Sequence, residues 1–86
     1  TLLPCSTGSP NYIFECPAGI RRGKPGFAEI RVQSPDRGER VLQFEPGSIA
    51  APDAALIDGE KIGDEWLIEV DGREYYRIPE AAITGG

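Results

Sequence analysis

Apolar and polar residues alternate in short runs along most of this chain, which is the period-two pattern of half-buried strands. Tyr12, Phe14 and Cys16 alternate with Ile13 and Glu15, and Ala28, Ile30 and Val32 alternate with Glu29 and Arg31. Leu42 and Phe44 share a face of the run Arg40 to Glu45, which Pro46-Gly47 ends. Ser34-Pro35-Asp36-Arg37-Gly38 is a turn sequence, so the second and third runs read as a hairpin. Between the first two runs, Pro17 stops the strand. Gly19, Gly23, Pro25 and Gly26 then make Pro17 to Gly26 a basic loop carrying Arg21, Arg22 and Lys24. Thr1 to Asn11, broken by Pro4, Gly8 and Pro10, is expected to be an extended N-terminal arm. Ser48 to Gly63 leaves two readings open: Ala50, Ala51, Ala54 and Ala55 allow a helical turn, and Ala55-Leu56-Ile57 a short strand, which is favoured. Asp58-Gly59 is read as the next turn. After Pro79, residues to Ile83 form one helical turn, and Gly85-Gly86 is a tail.

The strongest pattern runs from Glu65 to Ile78, two β-type segments joined across Asp71-Gly72. A two-residue loop would pair Val70 with Arg73, set Glu69 against Glu74 and scatter apolar residues over both faces. A three-residue loop, Val70-Asp71-Gly72, pairs Glu69 with Arg73, Leu67 with Tyr75 and Glu65 with Arg77. That register puts the charges on one face and Trp66, Ile68, Tyr76 and Ile78 on the other. It is the register selected here, and Trp66 then points inward.

The expectation is an all-β chain: a small antiparallel β-barrel or sandwich of five to six short strands, one domain over residues 1 to 86. A domain of 86 residues has a marginal core and gains from a covalent staple. Cys5 and Cys16 are the only cysteines and His is absent, so the pair reads as one disulfide. Closing a loop of about a dozen residues, it would contribute roughly 3 kcal/mol. With a disulfide the expected location is an oxidising, extracytoplasmic compartment, periplasmic or secreted, and the Thr1 start is compatible with prior removal of a signal peptide. The rival use of Cys5, lipidation, is poorly served by the preceding Pro4. No apolar run reaches the ~20 residues of a membrane helix.

Charge narrows the function classes. Fourteen acidic and nine basic residues give a net charge of -5, which argues against nucleic-acid binding. Six basic residues outweigh three acidic ones from Pro17 to Arg40, and ten acidic outweigh three basic from Val41 onward. The acidic half could steer a basic protein partner. Without His, a free thiol or a nucleophile motif, no enzyme, no catalytic residue and no cofactor are expected. The interaction residues singled out are Arg21, Arg22, Lys24, Asp58, Glu60 and Asp64. They suit a module that binds a protein or cell-envelope partner or plays a structural part there. The alternative is a metal- or small-molecule-binding protein using the acidic loop Asp58 to Glu65, whose oxygens and glycines suit calcium although the spacing is not that of an EF-hand.

Tyr12-Ile13-Phe14-Glu15-Cys16 and the Trp-bearing segment from Asp64 to Tyr75, with its Asp-Gly-x-Glu, resemble the opening and closing segments of the periplasmic and membrane-bound inhibitors of c-type lysozyme. That resemblance implies a small bacterial β-barrel that binds a lysozyme. The family's Ser-Gly-x-x-Tyr loop would fall at Asp58-Gly59-Glu60-Lys61-Ile62, where Ser and Tyr are absent, so no inhibitory residue is carried over.

Overall fold

The computed structural model describes residues 1–36 and 38–85. Its strands are β1 (Leu2–Thr7), β2 (Phe14–Arg22), β3 (Ala28–Ser34), β4 (Gly38–Glu45), β5 (Ser48–Ala50), β6 (Ile57–Ile62), β7 (Glu65–Val70) and β8 (Glu74–Pro79), followed by helix α1 (Glu80–Thr84). They form one antiparallel sheet in the order β5-β4-β3-β2-β1-β8-β7-β6. The sheet curls into a nearly closed barrel. Alternate residues face inward as the pattern predicts: Ile30 and Val32, Leu42 and Phe44, Ile68, Tyr76 and Ile78 are buried, and Val70, expected in a loop, is buried with them at the end of β7. Ile83 of α1 is buried with them at one end.

The eight strands among the described residues exceed the expected five to six, and the prolines account for part of the difference. Leu2–Thr7 is a strand between β2 and β8 rather than an arm, and β2 runs through Pro17 to Arg22 rather than giving way to a loop. Thr1 and Ala18 exchange both backbone hydrogen bonds. In an antiparallel ladder such pairs alternate with non-bonded ones, so Pro17, opposite Leu2, and Pro4, opposite Glu15, turn their nitrogens away from the β1–β2 ladder. On their other sides the ladders begin one residue later, at Cys5 and Ala18. Neither proline is asked for a donor.

The Asp-Gly signals divide. Asp58-Gly59 lies inside β6, and the turn to β7 is Gly63-Asp64. Gly59 is needed for a different reason: a Cβ there would lie 3.1 Å from Ile49 Cγ2. No hydrogen bonds join β5 to β6, so Ile49 seated over Gly59 closes the seam by packing. Asp71-Gly72 does make a turn, with φ values of 54° and 67° and the Arg73 N–H donating to the Val70 carbonyl at 3.1 Å. Arg73 is then an extra residue, so the loop is Asp71-Gly72-Arg73 and Val70 pairs with Glu74. This is two residues out of the expected register, which keeps every side chain on its expected face. The Asp71 carboxylate fixes the loop by accepting the N–H groups of Ala55 and Leu56, both at 2.8 Å.

Cys5 and Cys16 form the expected disulfide, with their Cα atoms 6.0 Å apart. The bridge joins diagonal neighbours on the inner face of β1 and β2. The hairpin of β3 and β4 and the helical turn after Pro79 also form as expected. In the turn of that hairpin, Arg37 lies outside the described residues, as does Gly86.

Candidate functional site

The outer face of β6, β7 and β8 is built by the same alternation that fills the core. Gly59 opposite Ile68 and Lys61 opposite Trp66 take the inner side, so Asp58 opposite Glu69 and Glu60 opposite Leu67 take the outer side. From β8, Tyr75 stands opposite Glu69 and Arg77 opposite Leu67. The connection between β1 and β2 folds over this face, and the Arg77 guanidinium lies 5.4 Å from the centre of the Tyr12 ring, a cation–π contact. Tyr12 is held at a φ of 50°, a conformation few non-glycine residues adopt. Tyr12, Tyr75, Leu67, Asp58, Glu60 and Glu69 line a shallow groove of about 170 Å³.

Charge in this groove is unbalanced. Arg77 is engaged by Glu65 at 3.2 Å. Among the described residues no basic group lies within ion-pair distance of Asp58, Glu60 or Glu69. Burial first, and then the neighbouring Glu69 carboxylate, raises the Tyr75 hydroxyl above its ordinary value, so it is a neutral donor at any physiological pH. The face can therefore accept cations and hydrogen-bond donors and stack on apolar groups.

A second charge cluster lies inside the barrel and is fully matched. Arg40 and Glu74 are 1% and 2% exposed. Arg40 Nε donates to Glu74 Oε1 at 3.1 Å, and its Nη2 donates to Glu74 Oε2. Nη1 donates to the carbonyl and the carboxylate of Asp53, and Asp71 Oδ2 stands 3.6 Å from Nη2. Tyr76 donates its hydroxyl to Glu74 Oε1 at 2.6 Å. The bonds from Glu74 hold the Arg40 guanidinium above its already high value, and burial followed by the Glu74 carboxylate raises the Tyr76 hydroxyl. Every donor group of Arg40 is thus committed to the protein.

The residues singled out from sequence are dispersed over the molecule. Asp58 and Glu60 share the groove, whereas Asp64 sits in the turn after β6. Arg21 and Arg22 end β2, and Lys24 lies in the turn to β3, so none of them reaches the groove. Arg22 Nε donates to the Ala82 carbonyl of α1. Glu65 serves Arg77, and among the described residues no three acidic, His or Cys side chains are grouped to hold a metal ion. Glu69 was expected to pair with Arg73. The two-residue shift leaves it opposite Tyr75, while Arg73 binds Asp36 at 2.8 Å. Sequence reasoning also missed Arg40 and Glu74, for which parity is the one signal: Arg40 is in phase with Leu42 and Phe44, and Glu74 with Tyr76 and Ile78.

No family model matches the chain, and neither a curated protein nor a solved structure matches it significantly.

Proposed function

We propose that this chain is an extracytoplasmic β-barrel module that acts by binding a basic macromolecule through the outer face of β6 to β8. The observation that carries this reading is the pairing of Asp58 directly opposite Glu69, with no basic group among the described residues within ion-pair distance of either. Like charges so placed oppose sheet formation, and a cationic partner relieves the repulsion on binding. Tyr12, Tyr75 and Leu67 supply the aromatic and apolar anchors that such interfaces use. The disulfide suits an oxidising compartment, and the resemblance to lysozyme inhibitors gives the partner a concrete form, a basic lysozyme.

Calorimetric titration with a c-type lysozyme as the basic probe tests this. Binding is expected to weaken with added salt. Replacing Asp58, Glu60 and Glu69 together by their amides should weaken it at least ~10-fold, as loss of interfacial charge does. Unchanged affinity in that variant, or no binding to any basic protein tried, would refute the reading.

A further inference from the structure

The end of the barrel beside α1 holds a cleft of about 300 Å³ between the β4–β5 turn and the start of the helix, on the opposite side of β6 and β7 from the acidic groove. Its apolar wall is the half-buried Trp66 ring, set edge-on to Phe44 with ring centres 5.8 Å apart. Pro46 continues the wall, pressed against Gly26 so closely that a Cβ there would meet Pro46 Cγ at 2.9 Å. The polar wall is the ion pair of Glu80 with Lys61, and the Glu45 carboxylate, which accepts from the Ser48 hydroxyl at 3.5 Å, also lines the cleft. Glu80 Oε2 accepts the Trp66 indole N–H at 2.7 Å and faces Lys61 Nζ at 3.7 Å.

That arrangement leaves specific valences open. Among the described residues Glu80 Oε1 accepts no hydrogen bond, and the Lys61 ammonium keeps donors beyond its single contact with Glu80. A free acceptor and a free donor thus stand side by side against an aromatic surface, and their charges cancel. A net anion would meet the Glu80 and Glu45 carboxylates, and a cation would compete with Lys61 for Glu80, so neither is matched by the pair. A neutral vicinal diol matches it: one hydroxyl donates to Glu80 Oε1 while its neighbour accepts from Lys61 Nζ. A saturated ring carrying that diol lays its C–H face on the indole. At about 300 Å³ the cleft is at the lower end of ligand pockets, the size for one ring.

We propose that this cleft binds a neutral sugar ring through a vicinal diol, with Trp66 as the apolar platform and Glu80 and Lys61 as the polar pair. In an envelope protein the ring would be a unit of a surface or cell-wall glycan. This site is separate from the acidic face, and either reading stands without the other.

The experiment follows Trp66, the only tryptophan, by fluorescence while the protein is titrated with methyl β-D-glucopyranoside and, in parallel, with its 3-deoxy analogue, which has lost both ring diols. The expected result is a saturable change with the glucoside at millimolar concentration, the range of a single weakly held ring, and binding at least ~10-fold weaker for the deoxy analogue. Glu80→Ala and Lys61→Met should each abolish saturation. The Lys61 and Glu80 side chains are 45% and 32% exposed, so the variants are expected to fold, and circular dichroism checks that they do. Lys24→Met, outside the cleft, should titrate as the parent does. Equal response to both sugars, no saturable response to the glucoside, or full retention of binding in the Glu80 and Lys61 variants would each overturn the proposal.

Discussion

Arg40, buried in the barrel, is met by the carboxylate of the equally buried Glu74 and by those of the more exposed Asp53 and Asp71, whereas on the outer face of β6 to β8 no basic group among the described residues lies within ion-pair distance of Asp58, Glu60 or Glu69. The difference follows from solvent. A buried ion that lacks its partner costs several kcal/mol, so the interior tolerates Arg40 only because the fold delivers acceptors to each of its donors. On the outside water screens the repulsion to a small residual, and nothing in folding requires it to be removed. The buried cluster is explained by the fold that contains it. The outer cluster lacks such an explanation, and that is the ground on which it is proposed as a binding face.

The largest effect expected from this comparison comes from separating the buried pair. Glu74→Ala leaves the Arg40 guanidinium in the barrel without its two best acceptors and should cost about 3 to 5 kcal/mol in chemical denaturation. Replacing both partners by apolar residues, Arg40→Met with Glu74→Leu, should recover most of that loss. A loss under about 1 kcal/mol in the single variant would mean that water reaches the pair, and the contrast with the outer face would collapse.

How far the sequence discloses these two regions depends on the level of description. Strand faces are legible because side chains alternate with a period of two, and a register error of two residues leaves them intact, as the hairpin of β7 and β8 illustrates. Register itself turns on Arg73 standing out as an extra residue, and that depends on Asp71 reaching the Ala55 and Leu56 amides across sixteen and fifteen residues of chain. No local pattern contains that contact. Strand number was hidden by residues that normally break sheets: Pro4 and Pro17 escape the penalty through ladder phase, and Gly59 serves Ile49 rather than a turn. The buried charges were hidden for the opposite reason. Arg40 and Glu74 sit in phase with apolar neighbours, but a charged residue at the end of a strand looks like the start of solvent until its partner on another strand is known.

An intermediate effect should appear at alkaline pH, and it sharpens the account of the interior. The Tyr76 hydroxyl is held above its ordinary value of about 10 by burial and by Glu74. Above that pH the unfolded chain releases a proton that the native protein retains. The contribution is therefore fully present below about pH 10 and is lost progressively as pH rises toward the native value. Tyr76→Phe should flatten this decline in stability measured from pH 9 to 11. Tyr75 is raised in the same direction, so the readout is the difference between parent and variant. An identical decline in both would show that Tyr76 is open to solvent in the native state.

The smallest effect is the most discriminating, because its two readouts should move in opposite directions. Asp58→Asn removes one charge of the apposed pair with Glu69, and relief of cross-strand repulsion should raise stability by about 0.2 to 1 kcal/mol. Added salt screens the same repulsion, so the gain should shrink as ionic strength rises. If the outer face exists to meet a basic partner, that variant, although more stable, should bind the lysozyme probe more weakly than the parent at low salt. A solvated face with no partner predicts the gain in stability alone, with no change in binding to any basic protein. A variant that is destabilised would show that Asp58 has a structural task in the native sheet, and the unmatched charge would then cease to mark a binding face.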